Sequence, residues 1–177
     1  MTKVTLRPIR ETDLPLMLAW GNIPEIWKYL PTSRKGEGLT WETHHNWFVN
    51  RKRRVDYMID IGRPVGVIHA TDYLSSDSPV KIPEIGLYIG ETGVWGQRIG
   101  KQALAQMLEL LPQPVAYAVI HPRNKRSIRL FTSLRFKKVG KARKGQDLYL
   151  FQILPVEVEC LRSLRSPSLT LKLSTSA

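Results

Sequence analysis

Apolar and polar residues alternate through VTLRPI, Val4 to Ile9, which predicts a short strand. The Glu11-Thr12-Asp13 turn after it offers a cap for a helix over Leu14 to Trp20. Asn22 to Pro24 ends that helix. A second is expected over Pro24 to Tyr29, and a third in the aromatic-rich segment TWETHHNWFVNRKRR, opening at Thr40, with a polar loop from Pro31 to Leu39 between them. Two apolar runs, Val55 to Ile61 and Val65 to Ala70, flank Gly62-Arg63-Pro64 as the strands of a hairpin would. Ser75 to Pro79 reads as a longer turn and Glu84 to Ile89 as a fourth strand.

Helical spacing returns over Gly100 to Leu111, with Ala103, Met107, Leu110 and Leu104, Leu108, Leu111 as the buried face; Pro112 and Pro114 stop it. VAYAVI at Val115 to Ile120 is a fifth strand and Ser127 to Leu134 a short helix. Phe136 to Val139 and Leu148 to Ile153 close the series as strands. The order predicts an α/β fold around a mixed sheet, in one domain over residues 1–154. From Pro155 to Ala177 a Ser, Leu and Lys/Arg mixture without a clean period predicts a loosely held tail.

At 177 residues with 42% apolar side chains, the chain matches one domain with a real core. No run of eighteen apolar residues occurs, the N-terminus lacks the pattern of a cleaved leader, and Cys160 has no second cysteine to pair with. These features lead to the expectation of a soluble cytoplasmic protein without membrane contact, disulfide scaffold or metal finger. Twenty-seven Lys plus Arg against fifteen Asp plus Glu give +12, a field that attracts phosphorylated small molecules, nucleic acid or acidic protein surfaces without choosing among them.

The strand Glu84 to Ile89, then VWGQRIGKQAL, then a helix is an arrangement in which unpaired amides at a helix start hold an anion, with Gly96 and Gly100 permitting close approach. By itself such spacing equally marks a tight strand-to-helix turn. Together with LRPIRETDLPLMLAWGN before it and HPRNKRSIRLFTSLRFKKVG after the fifth strand, it resembles the GNAT superfamily of acyl-CoA-dependent N-acyltransferases over about Val4 to Phe151. The resemblance implies a mostly antiparallel sheet flanked by helices and acetyl-CoA as acyl donor. It maps the family's Gln/Arg-x-x-Gly-x-Gly/Ala pyrophosphate loop onto Trp95, Gly96, Gln97, Arg98, Ile99 and Gly100, followed by Lys101. Trp95 stands for Gln or Arg, and Arg98 for the first glycine, which adds a cation and leaves binding intact if Arg98 keeps an ordinary helical backbone. The family's Asn-x-x-Ser-x-x-Leu-Tyr-x-x-x-Gly-Phe is matched by Asn124, Ser127, Leu130, Phe131 and Phe136, with Arg135 at the glycine position. Phe131 lacks the hydroxyl that tyrosine often supplies there to the departing thiolate; water, Tyr88 or Tyr117 are the alternatives.

The resemblance further places Leu87, Tyr88 and Ile89 on the cofactor side, with Glu84 as the base that deprotonates the acceptor ammonium. Glu84 equally suits a solvated or ion-paired strand-end carboxylate. His69, on the alternation face of Val65, Val67 and Thr71, has the chemistry of a near-neutral base or of a hydrogen-bonded strand residue. Trp20, Asn22 and Trp27 fall where the family covers its acceptor, or form an aromatic helix seam; Trp41, His44, His45 and Phe48 share a helix face that reads as core packing, with His44 offering one polar contact to an acceptor. The run Arg51-Lys52-Arg53-Arg54 reads as a solvated face that adds affinity for anions. The Trp20, Asn22, Pro24 start and WETHHNWF resemble enzymes that acetylate nucleotide-linked amino sugars, including those of pseudaminic-acid-type pathways. That implies a small-molecule amine acceptor, with no need for nucleic acid; a homodimer is compatible with the sequence. Two other readings stay open: a protein N-terminal acetyltransferase similar to those of ribosomal proteins, and a non-catalytic CoA-sensing or nucleic-acid-binding module.

Overall fold

The computed structural model describes residues 2–29, 38–73, 82–111, 115–142 and 145–152. Seven strands form one sheet in the order β1-β2-β3-β4-β5-β7-β6: β1 Thr5–Pro8, β2 Arg54–Asp60, β3 Pro64–Tyr73, β4 Ile82–Ile89, β5 Val115–Ile120, β6 Lys137–Lys141 and β7 Asp147–Gln152. β1 runs antiparallel to β2, and β7 antiparallel to β5 and β6. β4 is parallel to β5, with Glu84 opposite Tyr117. The helices are α1 Leu14–Gly21, α2 Pro24–Trp27, α3 Trp41–Asn50, α4 Ile99–Leu110 and α5 Lys125–Thr132, with one-turn 3-10 segments at Glu11–Asp13 and Thr92–Val94. The expected α/β class and mixed, mostly antiparallel sheet are present. The Ser75 to Pro79 turn and everything after residue 152, including the expected tail, lie outside the described residues.

Two compact units divide the chain: residues 1–70 with 87–109, and residues 71–86 with 110–177. In the first, strand alternation sends Met58 and Val67 into a core with Ile9, Leu14, Met17 and Trp20, onto which Trp47, Phe48 and Tyr88 pack. Ile59 and Ile68, of opposite parity, are equally buried on the other face. Arg7 donates to both oxygens of Asp13 at 2.8 Å while the Arg10 amide donates to the same carboxylate, which ties β1 to the turn that starts α1. Thr40 caps α3 by accepting from the Thr43 amide at 3.3 Å. α4 buries Ile99, Ala103, Leu104 and Met107, and Gln106 Nε2 donates to the Val4 carbonyl at 2.9 Å. Leu110, expected on that buried face, is 55% exposed, because it closes the last turn and has no succeeding turn to bring it back onto the sheet.

In the second unit Ile82, Val115, Tyr117, Leu148 and Leu150 form one cluster. α5 ends in a Schellman turn: the Phe136 amide donates to the Phe131 carbonyl at 3.2 Å and the Arg135 amide to that of Thr132 at 3.1 Å. Arg135 takes the left-handed φ of 68° that glycine usually supplies there, and the accompanying apolar contact is an edge-to-face pair of Phe131 and Phe136 with centroids 4.9 Å apart.

Candidate active site

The turn between β4 and α4 is built from short-range bonds. The Trp95 amide donates to Thr92 O at 3.1 Å and its indole Nε1 to Ile89 O at 2.9 Å, so the tryptophan clasps the end of β4 to the turn. Gly96 has φ 83°, and a Cβ added to it would meet nothing within 4 Å, so the space above it is open. The Arg98 carbonyl accepts from the amides of Lys101 and Gln102, both at 3.1 Å. The amides of Ile99 and Gly100 precede the first intrahelical acceptors and face the helix end. Gly96, Gln97, Arg98 and Lys101 are exposed while Ile99 anchors the turn inward. The unpaired amides at the positive end of α4, with the exposed Arg98 and Lys101 side chains beside them, make this turn a candidate anion site.

Arg98 corrects one expectation. Its backbone is not helical: φ is 62°, in the left-handed region. The side chain changed but the glycine-type turn did not, so the amides keep the direction a glycine there would give them, at a local cost of about 1–2 kcal/mol. Arg53, Arg98 and Arg135 are the non-glycine residues with positive φ among those described, and two of the three sit where the family pattern has glycine.

On the α1 and α3 side of the first unit lies a polar group that the sequence pattern did not single out. Asp56, its side chain 1% exposed, receives Arg54 Nη2 at 2.6 Å and Arg54 Nε at 2.9 Å, with Arg51 Nε at 3.6 Å. The Arg54 guanidinium lies over the Trp47 ring and that of Arg51 over Phe48, centroid distances 5.2 and 3.8 Å. Arg51 and Arg54 therefore do not belong to a solvated charge run; only Lys52 and Arg53 of that run are exposed. The available signal was an acid on the same strand parity as Arg54 and Met58, two residues after the last of four cations.

His69 shares this neighbourhood. Burial, reinforced by the Arg54 charge and opposed by Asp56, lowers its pKa from 6.5 to about 4. These surroundings favour the neutral ring and weaken His69 as the near-neutral base expected from the sequence. Tyr88, edge-to-face with Trp20 at 6.3 Å, is held well above the usual phenol range by burial and by Asp56, against Arg54.

Trp20 is 2% exposed, donates Nε1 to Glu91 Oε1 at 3.1 Å, and lies so close on Gly90 that a Cβ there would be 2.1 Å from its ring. Asn22 spends its amide on Leu18 O, Leu39 O and the Leu39 amide, which ties the end of α1 to the start of α3. His44 is buried and stacked on Trp47 at 5.2 Å, and Trp27 is half-buried in α2. The structure places Trp20 in the core and Asn22 and His44 in the seams around it.

Glu84, Asn124, Ser127 and Phe131 belong to the second unit. Glu84 lies half-buried on β4, its carbonyl accepting from Thr71 Oγ1 at 3.4 Å. Asn124 caps α5, Oδ1 accepting from the Ser127 amide at 3.1 Å. Phe131 is 3% exposed and wholly engaged in packing. Leu87 and Ile89 stand on the opposite parity of β4 from Tyr88.

Residues 3–137 match the acetyltransferase (GNAT) domain family, and the chain belongs to it. It is 36% identical over 157 residues to an uncharacterized protein of Methanocaldococcus jannaschii, a match covering 84% of this chain; the chain spans about a third (31%) of that relative's length. A crystal structure of a domain from the same organism superposes with a TM-score of 0.74 at 35% identity, over 86% of this chain and all of that one. An aminoglycoside acetyltransferase solved with coenzyme A gives 0.72 at 18% identity over 93% of this chain and all of its own, and a Vibrio cholerae spermidine N-acetyltransferase solved with CoA and spermine gives 0.67 at 15% over 87% and 96%. These last two likenesses are of fold.

Proposed function

We propose that the chain transfers an acetyl group from acetyl-CoA to a primary amine, the acceptor being a nucleotide-linked amino sugar. The observation that carries the reading is the turn at Gly96 to Lys101: a left-handed Arg98 preserves a glycine-type anion cradle at the start of α4, and its exposed guanidinium adds a cation to it. Acetyl-CoA, when bound, supplies an activated thioester. Gly96 to Lys101 would hold its pyrophosphate, the backbone of Leu87, Tyr88 and Ile89 would orient the acyl-bearing arm, and Asn124, with Oδ1 committed to its cap, would offer Nδ2 beside Ser127.

Glu84 is the group proposed to take the proton from the acceptor ammonium. A ring titrating at about 4 gives His69 little capacity for that proton, so we assign it the lesser role of a neutral hydrogen-bonding partner. Phe131 has no proton to offer the leaving thiolate, and Tyr88 holds its own tightly, which leaves water or Tyr117 as the donor. The amino-sugar class is favoured over polycationic acceptors by the +12 balance and by two guanidinia sharing one carboxylate at Asp56.

The test is release of CoA thiol from acetyl-CoA with separate pools of nucleotide-linked amino sugars, N-terminal peptides and polyamines. Release with the first pool alone, reduced about 100-fold or more by Glu84→Gln, is expected. Release with peptides alone moves the reading to protein N-terminal acetylation, and CoA binding without release in any pool to a sensing module.

A further inference from the structure

Beside Asp56 the first unit holds more hydrogen-bonding capacity than its own residues use. Arg54 turns Nε and Nη2 to the carboxylate, which leaves Nη1 without an acceptor among the described residues. Arg51, 3.6 Å from the same carboxylate through Nε, gives Nη1 to the Phe48 carbonyl. Two guanidinia share one acid there, and one positive charge is left over.

Arg54, Asp56 and Met58 have one parity on β2. Met58 packs in the same cluster as Val67 of β3 and Tyr88 of β4, and His69 shares the parity of Val67. These three strands are neighbours in the sheet, so Arg54, His69 and Tyr88 stand on one face of it. The charges acting on both the imidazole and the phenol are those of Arg54 and Asp56. Neither ring nitrogen of His69 nor the Tyr88 hydroxyl has a hydrogen-bond partner among the described residues, although burial desolvates both side chains. Desolvated phenols and imidazoles ordinarily find one. Both residues are partly exposed, and their polar atoms are not sealed from solvent.

We infer that Arg54, seconded by Arg51, forms with the Tyr88 hydroxyl and a neutral His69 N–H an oxyanion subsite that holds a phosphate or carboxylate group of the acceptor. On the nucleotide-linked reading above, on which the choice of phosphate rests, that group is the diphosphate. A phenol that keeps its proton and an uncharged imidazole each donate to an oxyanion, and a guanidinium held over Trp47 offers it a planar fork. Tyr88 also lends its backbone to the segment proposed to orient the acyl-bearing arm, so an anion held here brings the rest of the acceptor beside that arm.

The experiment is calorimetric titration of the full chain with inorganic pyrophosphate and with glutarate, in excess CoA, which competes for the turn at Gly96 to Lys101. Arg54→Lys keeps a cation for Asp56 and loses the fork; Tyr88→Phe loses the hydroxyl alone; thermal melts check that each folds. Wild type should bind pyrophosphate, Arg54→Lys about tenfold more weakly and Tyr88→Phe about threefold more weakly. Pyrophosphate should also shift the ring-nitrogen NMR signals of His69 and leave those of His121 unmoved. Should Arg54→Lys fail to fold, Tyr88→Phe and the His69 signals decide. No binding of either anion by wild type, unchanged affinity in both variants, or unmoved His69 signals overturns the subsite. Binding of glutarate without pyrophosphate keeps the subsite and sinks the nucleotide-linked reading. Thiol release with nucleotide-linked sugars in a protein that binds neither anion sinks the subsite alone.

Discussion

Asp56 and His69 show how much a single residue's behaviour depends on its surroundings. Asp56→Ala would leave Arg51 and Arg54 without their shared carboxylate. Removing one partner of a fully buried pair costs about 3–5 kcal/mol, but both guanidinia reach water, at 25% and 20% side-chain exposure, so a loss of about 2 kcal/mol is expected in urea denaturation. His69 gives a pH signature. Its folded pKa of about 4 lies below the unfolded 6.5, so its neutral form stabilises the fold above 6.5 and that contribution is lost as pH falls towards 4. The loss is on the order of 3 kcal/mol. Stability measured at pH 7 and pH 4.5 should therefore drop in wild type and drop less in His69→Gln. Asp13 and Asp147, whose carboxyls are held below the usual range by Arg7 and by Lys138 and Lys141 in spite of burial, lose their contribution only at lower pH, which keeps the two effects separable.

Among the elements, α4 and α5 are bounded by arginines in glycine conformations. Arg135→Gly removes the Cβ strain of the Schellman turn, worth about 1–2 kcal/mol, against about 0.5–1 kcal/mol of extra unfolded-state entropy. A net gain of about 0.5–1 kcal/mol is expected in thermal or urea unfolding, and none for Arg135→Ala, which keeps the Cβ. Arg98→Gly should likewise hold or raise stability, yet lower CoA affinity about fivefold, in a salt-sensitive way, because the guanidinium goes with the strain. Equal CoA affinity in Arg98→Gly would remove the side chain from the cradle and leave only its backbone there. Helix starts and the succession of helices and strands along the chain were legible in the sequence because caps, prolines and alternation are local signals. The fate of Arg51 to Arg54 was not, since it depends on Asp56 arriving two residues later on a strand whose inward face only sheet pairing defines.

Over the whole molecule, a seven-stranded mixed sheet and membership of the GNAT acetyltransferase domain family frame every proposal about chemistry. Among the described residues no helix is long and apolar enough to cross a membrane. By itself the sequence determined the element order, the α/β class, the family pattern and the position of the glycine-bearing turn before α4, because each is written in spacings of a few residues. Tertiary structure decided what contact and desolvation control: that Arg98 keeps a glycine turn, that the surroundings of His69 favour its neutral ring, that Trp20 is a wedge on Gly90, and that two cations of a basic run are drawn inward by one carboxylate.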